Sequence, residues 1–195
     1  MSSATKTGKR KIASETPEAG TAERLLAPGS FESLAAQIKE TLGEAWLPRY
    51  YVERILPLRT RSHKLQAAAA AIVRPEQVSV QHTLLGIELK IGRRRINCPD
   101  LATARYLATF ARAGCSEVAV PYDISRISLL ADELESSWQR MLLLVEHLAG
   151  ARNRAYRTRL RTSLVTEARR GIAEAGAGTL IPQFNQNTKQ RRRGV

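Results

Sequence analysis

A chain of 195 residues that is 43% hydrophobic has enough apolar mass for one domain core, and with only 5% aromatics that core must be mostly Leu, Ile, Val and Ala. A formal charge of +13 and a pI near 10.5 put a polyanion first among partners, with nucleic acid ahead of an anionic membrane surface. No apolar run approaches the ~18 residues of a membrane span, Met1 to Arg24 has no apolar leader core, and Cys98 and Cys115 with the scattered His63, His82 and His147 fall short of a zinc site. These exclusions predict a cytoplasmic protein with no cofactor and no membrane, its thiols buried and free.

The predicted organisation is a disordered basic arm over 1–27, one α+β domain over 28–174, and a disordered basic tail over 175–195. Within the domain, 28–75 reads as helical, 76–121 as a β-β-α-β unit, and 123–174 as long helices. The fold class is therefore α+β: a small central antiparallel or mixed sheet of hairpin, helix and strand, with N-terminal helices and a long C-terminal helix or helical hairpin.

The arm carries Lys9-Arg10-Lys11 and no hydrophobic period. Ser30 is an N-cap candidate for a helix over Phe31 to Leu42, where Phe31, Leu34, Ile38 and Leu42 share one face and Gly43 stops the element. Pro48 and Pro57 break the next stretch, and the helix formers of Lys64 to Ala71 predict a second helix from Arg61 to Val73. Trp46 to Arg74 holds six bases against one acid, Glu53. Its Trp46, Tyr50 and Tyr51 suit either base stacking or the core, and the scarcity of aromatics favours the core.

Val78 and Val80, then Ile87, Leu89 and Ile91, alternate with polar residues and predict strands. Gly92-Arg93 turns the chain and Arg94 to Cys98 returns it. Asp100 caps a helix over Leu101 to Ala113, Gly114 stops it, and Glu117 to Val120 adds a strand closed by Pro121. Asp123 or Ser125 caps a long helix to Ala149. Its apolar residues Ile127, Leu130, Leu134, Trp138, Met141, Val145 and Leu148 fall within roughly 80° of one another, a seam suited to a partner helix. Around Met141 to Val145 the helix is apolar nearly all round, which predicts burial by more than one neighbour. After Gly150 the helix resumes from Arg152 to Glu174, with Tyr156, Leu160, Leu164 and Ala168 in one stripe.

The charge is concentrated at the C-terminal end. Arg152, Arg154, Arg157, Arg159, Arg161, Arg169 and Arg170 face one acid, Glu167; Glu174 takes one charge back, and Lys189, Arg191, Arg192 and Arg193 add four, so nine of the thirteen net charges lie in the last 45 residues. A solvated helix face ordinarily mixes signs, and few of these arginines have a glutamate four residues away. The planar guanidinium suits phosphate. The tip Arg93-Arg94-Arg95 could likewise grip a backbone.

These patterns predict a non-enzymatic nucleic-acid-binding protein that holds phosphates through Arg93–Arg95, the arginine helix and Arg191–Arg193. A subunit or adaptor of a larger assembly, homo-oligomeric or nucleoprotein, is the alternative, with the Ile127 to Leu148 seam as its interface. A third possibility comes from Glu88-Leu89-Lys90. This Glu-x-Lys strand, followed by a helix and a strand, loosely resembles the metal-dependent nuclease fold of restriction-type enzymes over Gln77 to Pro121. The resemblance implies that an upstream acid and Glu88 would hold a divalent metal and that Lys90 would orient the attacking water. The preceding strand departs from that pattern, with Gln81 and His82 and no Asp. No phosphate loop, nucleophile elbow or zincin motif occurs.

Overall fold

The structure, a computed structural model, describes residues 30–65 and 75–178. The arm over 1–27, most of the helix-forming run of Lys64 to Ala71, and Arg191, Arg192 and Arg193 lie outside the described residues. The fold is α+β. Helix α1 (Phe31–Leu42) starts where the Ser30 hydroxyl accepts the amide proton of Ser33 at 3.1 Å, and it ends at Gly43, whose φ of 52° favours glycine. It buries Leu34, Ile38 and Leu42.

The next segment differs from expectation at Pro48. Proline lacks an amide proton, so it is tolerated in a first helical turn. Here it opens α2 (Leu47–Tyr50), and the chain continues helically through a π-turn at Tyr51–Ile55. Arg61 to Lys64 is not helical either. Thr60–Lys64 forms strand β1, antiparallel to β5 (Glu117–Pro121) with Thr60 opposite Pro121 and Lys64 opposite Glu117. A partner strand far along the chain overrides local helix propensity here. The part from 28 to 75 is thus not purely helical.

Strands β2 (Val78–Thr83), β3 (Gly86–Ile91) and β4 (Arg94–Cys98) form a separate antiparallel sheet in the order β2-β3-β4. The expected final strand, β5, pairs with β1 instead of joining this hairpin sheet. Leu89 and Ile91 turn inward beneath α3 (Leu101–Arg112), which Asp100 caps by accepting the amide proton of Thr103 at 2.7 Å.

Two buried tyrosines finish β5. Ala119 donates its amide proton to the Tyr51 hydroxyl at 2.8 Å, and its carbonyl accepts the Tyr106 hydroxyl at 2.6 Å. The Tyr51 hydroxyl in turn donates to the Gly176 carbonyl at 2.8 Å. Side chains thereby satisfy the edge groups that another strand would have taken. Phe110 stands edge-on to both rings, at 5.6 and 5.1 Å. Tyr50 is also buried, with its hydroxyl on Glu133, so both tyrosines belong to the core and neither forms an exposed stacking platform.

Helix α4 (Ile124–Ala149) is capped by Asp123, not by Ser125. Its seam, from Ile127 through Val145, is buried within the chain, mainly along α3 and also against α1. That face is packed against the chain's own helices, with Leu148 at its end partly buried. The segment Met141 to Val145 is not buried all round, since Leu143 is 69% exposed. Gly150 (φ 52°) breaks the helix, and Asn153 caps α5 (Arg154–Ala175), which starts two residues later than the periodicity suggested. No helix among the described residues is long and apolar enough to cross a membrane.

Candidate nucleic-acid interface

Helix α5 is held by Leu160, Leu164, Ala168 and Ile172, all buried in the shared core. Lys39 of α1 adds an ion pair to Glu167 at 2.7 Å. With these contacts fixed, the rotation of the helix is fixed, and each arginine is committed to one side.

One side forms a groove of about 740 Å³. Arg154, Arg157, Arg161 and Arg169 line it from α5, together with Thr158, Thr162 and Thr166. The far wall brings in Arg112 from the last turn of α3, followed by Ala113 and Gly114, and Pro75 with Glu76 close one end. Five arginines thus meet around one concavity whose lining holds two acids, Glu76 and Glu146. Field lines concentrate in such a cleft, raising the local potential beyond that of the same charges on a convex surface.

Glu146 of α4 organises the groove. Arg157 donates to its carboxylate at 2.8 Å and Arg161 at 3.1 Å. The hydrogen bond from Arg157, with that from Arg161 behind it, holds the carboxyl of Glu146 below the usual carboxylate range. The Nε atoms of both arginines are buried without a hydrogen-bond partner. Arg112, Arg154 and Arg169 make no ion pair among the described residues. They are the cations most free to meet an incoming anion.

The other arginines of the helix segment lie elsewhere. Arg152 stacks over the Tyr156 ring at 4.5 Å and Arg159 lies over Phe31 at 5.9 Å, while Arg170 faces Glu174 at 3.8 Å. Tyr156 and Phe31 meet edge-on at 5.8 Å, so these cations sit on an aromatic pair that joins α5 to α1.

The hairpin tip approaches the groove by two routes. Gly92 donates its amide proton to the Gln77 carbonyl at 3.0 Å, directly after the Pro75-Glu76 edge of the groove. Arg94 reaches the Lys64 carbonyl at 3.5 Å, and the next residue, Leu65, donates to Ser116 at 2.7 Å, two residues past Gly114 in the groove wall. Arg93, Arg94 and Arg95 are exposed, and Arg95 faces Glu88 at 3.5 Å.

Glu88 and Lys90 share one face of β3. The residues opposite Glu88 are the amides Gln81 and Asn97, and those opposite Lys90 are Ser79 and Arg95. Among the described residues no group of three His, Cys, Asp or Glu side chains lies close enough to hold a metal ion. Cys98 and Cys115 are free and buried, and burial pushes the Cys115 thiol up to about 12.

Sequence reasoning missed Arg112 and Glu146. Arg112 carries the signal of a cation in the last turn of a capped helix, where it complements the helix dipole. Glu146 carried no signal, because its partners lie on the following helix. Compared with protein-family models, with curated proteins and with solved structures, the chain finds no match.

Proposed function

We propose that this protein binds nucleic acid without catalysing a reaction, holding backbone phosphates in the groove between α5 and the end of α3. The observation that carries the proposal is the convergence of Arg112, Arg154, Arg157, Arg161 and Arg169 on one concave surface. Guanidinium groups bond phosphate oxygens in pairs, and the threonine hydroxyls of the same wall add neutral donors of the kind that position a backbone. The exposed Arg93 and Arg94 extend the contact beyond the groove, and Arg191, Arg192 and Arg193 contribute charge from the tail. Backbone phosphates are common to every sequence, so this contact is expected to be tolerant of sequence. A cytoplasmic, nucleic-acid-associated location accompanies the proposal, and two reduced, buried thiols suit such a compartment.

The test is a salt titration of binding to double-stranded DNA, single-stranded DNA and RNA of equal length. Six to ten phosphate contacts give a loss of roughly 10³–10⁵ in affinity between about 50 and about 200 mM salt. A salt-independent affinity, or none at low salt for all three, overturns the proposal.

A further inference from the structure

We propose that Arg61, His63 and Arg94 form a second phosphate contact, outside the groove, that tightens when His63 takes up a proton. This inference rests on the nucleic-acid proposal and adds a place and a pH dependence to it.

The geometry begins with strand alternation. On β1, Arg61 and His63 are two residues apart and share a face, opposite Val120 and Val118 of β5. Lys64 lies on the other face, opposite Glu117, whose carboxylate accepts the hydroxyl of Ser62. The carboxylate and the imidazole are thus separated by the sheet. Arg94 arrives from the hairpin, its guanidinium 3.5 Å from the Lys64 carbonyl. Arg61 and Arg94 are both exposed, while His63 is half-buried and its Nε2 is enclosed with no hydrogen-bond partner.

Two exposed cations beside an unpartnered imidazole nitrogen disfavour a third charge. Burial first, then Arg61 and Arg94, hold His63 below its ordinary value. A phosphate bridging the two arginines reverses the electrostatic part of that effect. It neutralises the repulsion that disfavours the charged imidazole. By linkage, a ligand that raises the pKa of a group binds more tightly to its protonated form. Affinity therefore rises as pH falls through the value of His63 in the complex, and levels off below the value in the free protein. Arg94 bonds the Lys64 carbonyl, and the next residue, Leu65, bonds Ser116, two residues past Gly114 of the groove lining.

The experiment follows the imidazole signals of His63, His82 and His147 by NMR from about pH 5 to about pH 8. The full chain is measured free, with saturating duplex DNA, with saturating single-stranded RNA, and with inorganic phosphate at the same phosphate concentration. In an arm where nucleic acid binds, His63 is expected to rise by about one pKa unit, and affinity to be about tenfold higher at the acid limit than at the alkaline one. Arg61→Gln, an exposed substitution outside the groove, is expected to remove most of that rise while leaving groove binding at high pH. Inorganic phosphate alone is expected to leave His63 unmoved. If nucleic acid binds and shifts the α5 signals but His63 titrates as in the free protein, the second contact is overturned and the groove stands. An equal rise with inorganic phosphate alone overturns the assignment to a nucleic-acid backbone. If neither nucleic acid binds at low salt, the groove proposal fails and this one fails with it.

Discussion

Glu146 accepts a hydrogen bond from Arg157 at 2.8 Å where α4 and α5 meet. The carboxylate also takes Arg161, so a single acid partly neutralises two of the five arginines of the groove. The pair is solvent-exposed, and its effect on stability is small for that reason. Its effect on ligand charge is larger. Glu146→Gln releases both guanidinium groups and raises the net charge of the groove by one. The slope of log affinity against log salt is expected to steepen by about 0.9 for duplex DNA or about 0.7 for a single strand. An unchanged slope would show that bound phosphates do not sense the groove.

The groove also separates arginines that the sequence presents as equivalents. Arg112→Gln and Arg169→Gln each remove a groove cation that has no ion pair among the described residues, and each should flatten the salt slope by about 1 and weaken binding alike for every sequence. Arg159→Gln removes a cation stacked on Phe31, away from the groove, and should change the slope by much less. The comparison requires all three variants to be folded, which circular dichroism checks. Equal losses from all three would mean that the charge acts as a diffuse field, without a site.

Much of this arrangement was legible from local patterns. Ser30, Asp100 and Asp123 cap helices by short-range hydrogen bonds, and glycines 43, 114 and 150 end or follow them with positive φ, so those boundaries depend on a few neighbouring residues. The hairpin around Gly92 is local in the same way. Strand β1 was illegible because Thr60 to Lys64 has little strand character of its own and becomes a strand by pairing with β5 across the fold. The arginine-rich character of α5 was visible, but its division was not. Which arginines enter the groove depends on where α5 crosses α4 and where α3 ends, and no periodicity in one helix encodes the position of another. The missing acid has the same cause: an i, i+4 search on α5 passes over Glu146, which lies eleven and fifteen residues before its partners.

Tyr51 connects the core to the end of α5. Its hydroxyl accepts from Ala119 and donates to Gly176, just past the end of α5. Tyr51→Phe leaves a buried amide proton without a partner and should cost about 1–3 kcal/mol, read as a lower urea midpoint with unchanged slope. The phenol also makes a pH prediction. Burial pushes Tyr51 up to about 12 in the folded chain, against about 10 when unfolded. A group whose folded value is raised contributes its stability fully below the unfolded value and loses it as pH climbs to the folded one. The stability difference between wild type and Tyr51→Phe should therefore shrink between about pH 10 and about pH 12. A difference that stays constant over that window would remove the phenol's proton from the account.

Gly171 of α5 packs closely against Pro48 of α2. A Cβ built there would lie 3.0 Å from Cβ and 3.2 Å from Cγ of Pro48, a stiff ring in the first turn of α2. Glycine is otherwise unfavourable inside a helix by about 0.8–1 kcal/mol relative to alanine, and here that cost secures close packing. Gly171→Leu should destabilise the protein by about 1–3 kcal/mol through overpacking, lowering Tm by several degrees. Gly171 lies on the core side of α5, beside Leu164, Ala168 and Ile172, and does not line the groove. The folded fraction of Gly171→Leu should consequently bind nucleic acid with the wild-type salt slope, measured well below its Tm. A flattened slope in fully folded protein would show that the seating of α5 on Pro48 sets the direction of the groove arginines as well as the stability of the helix.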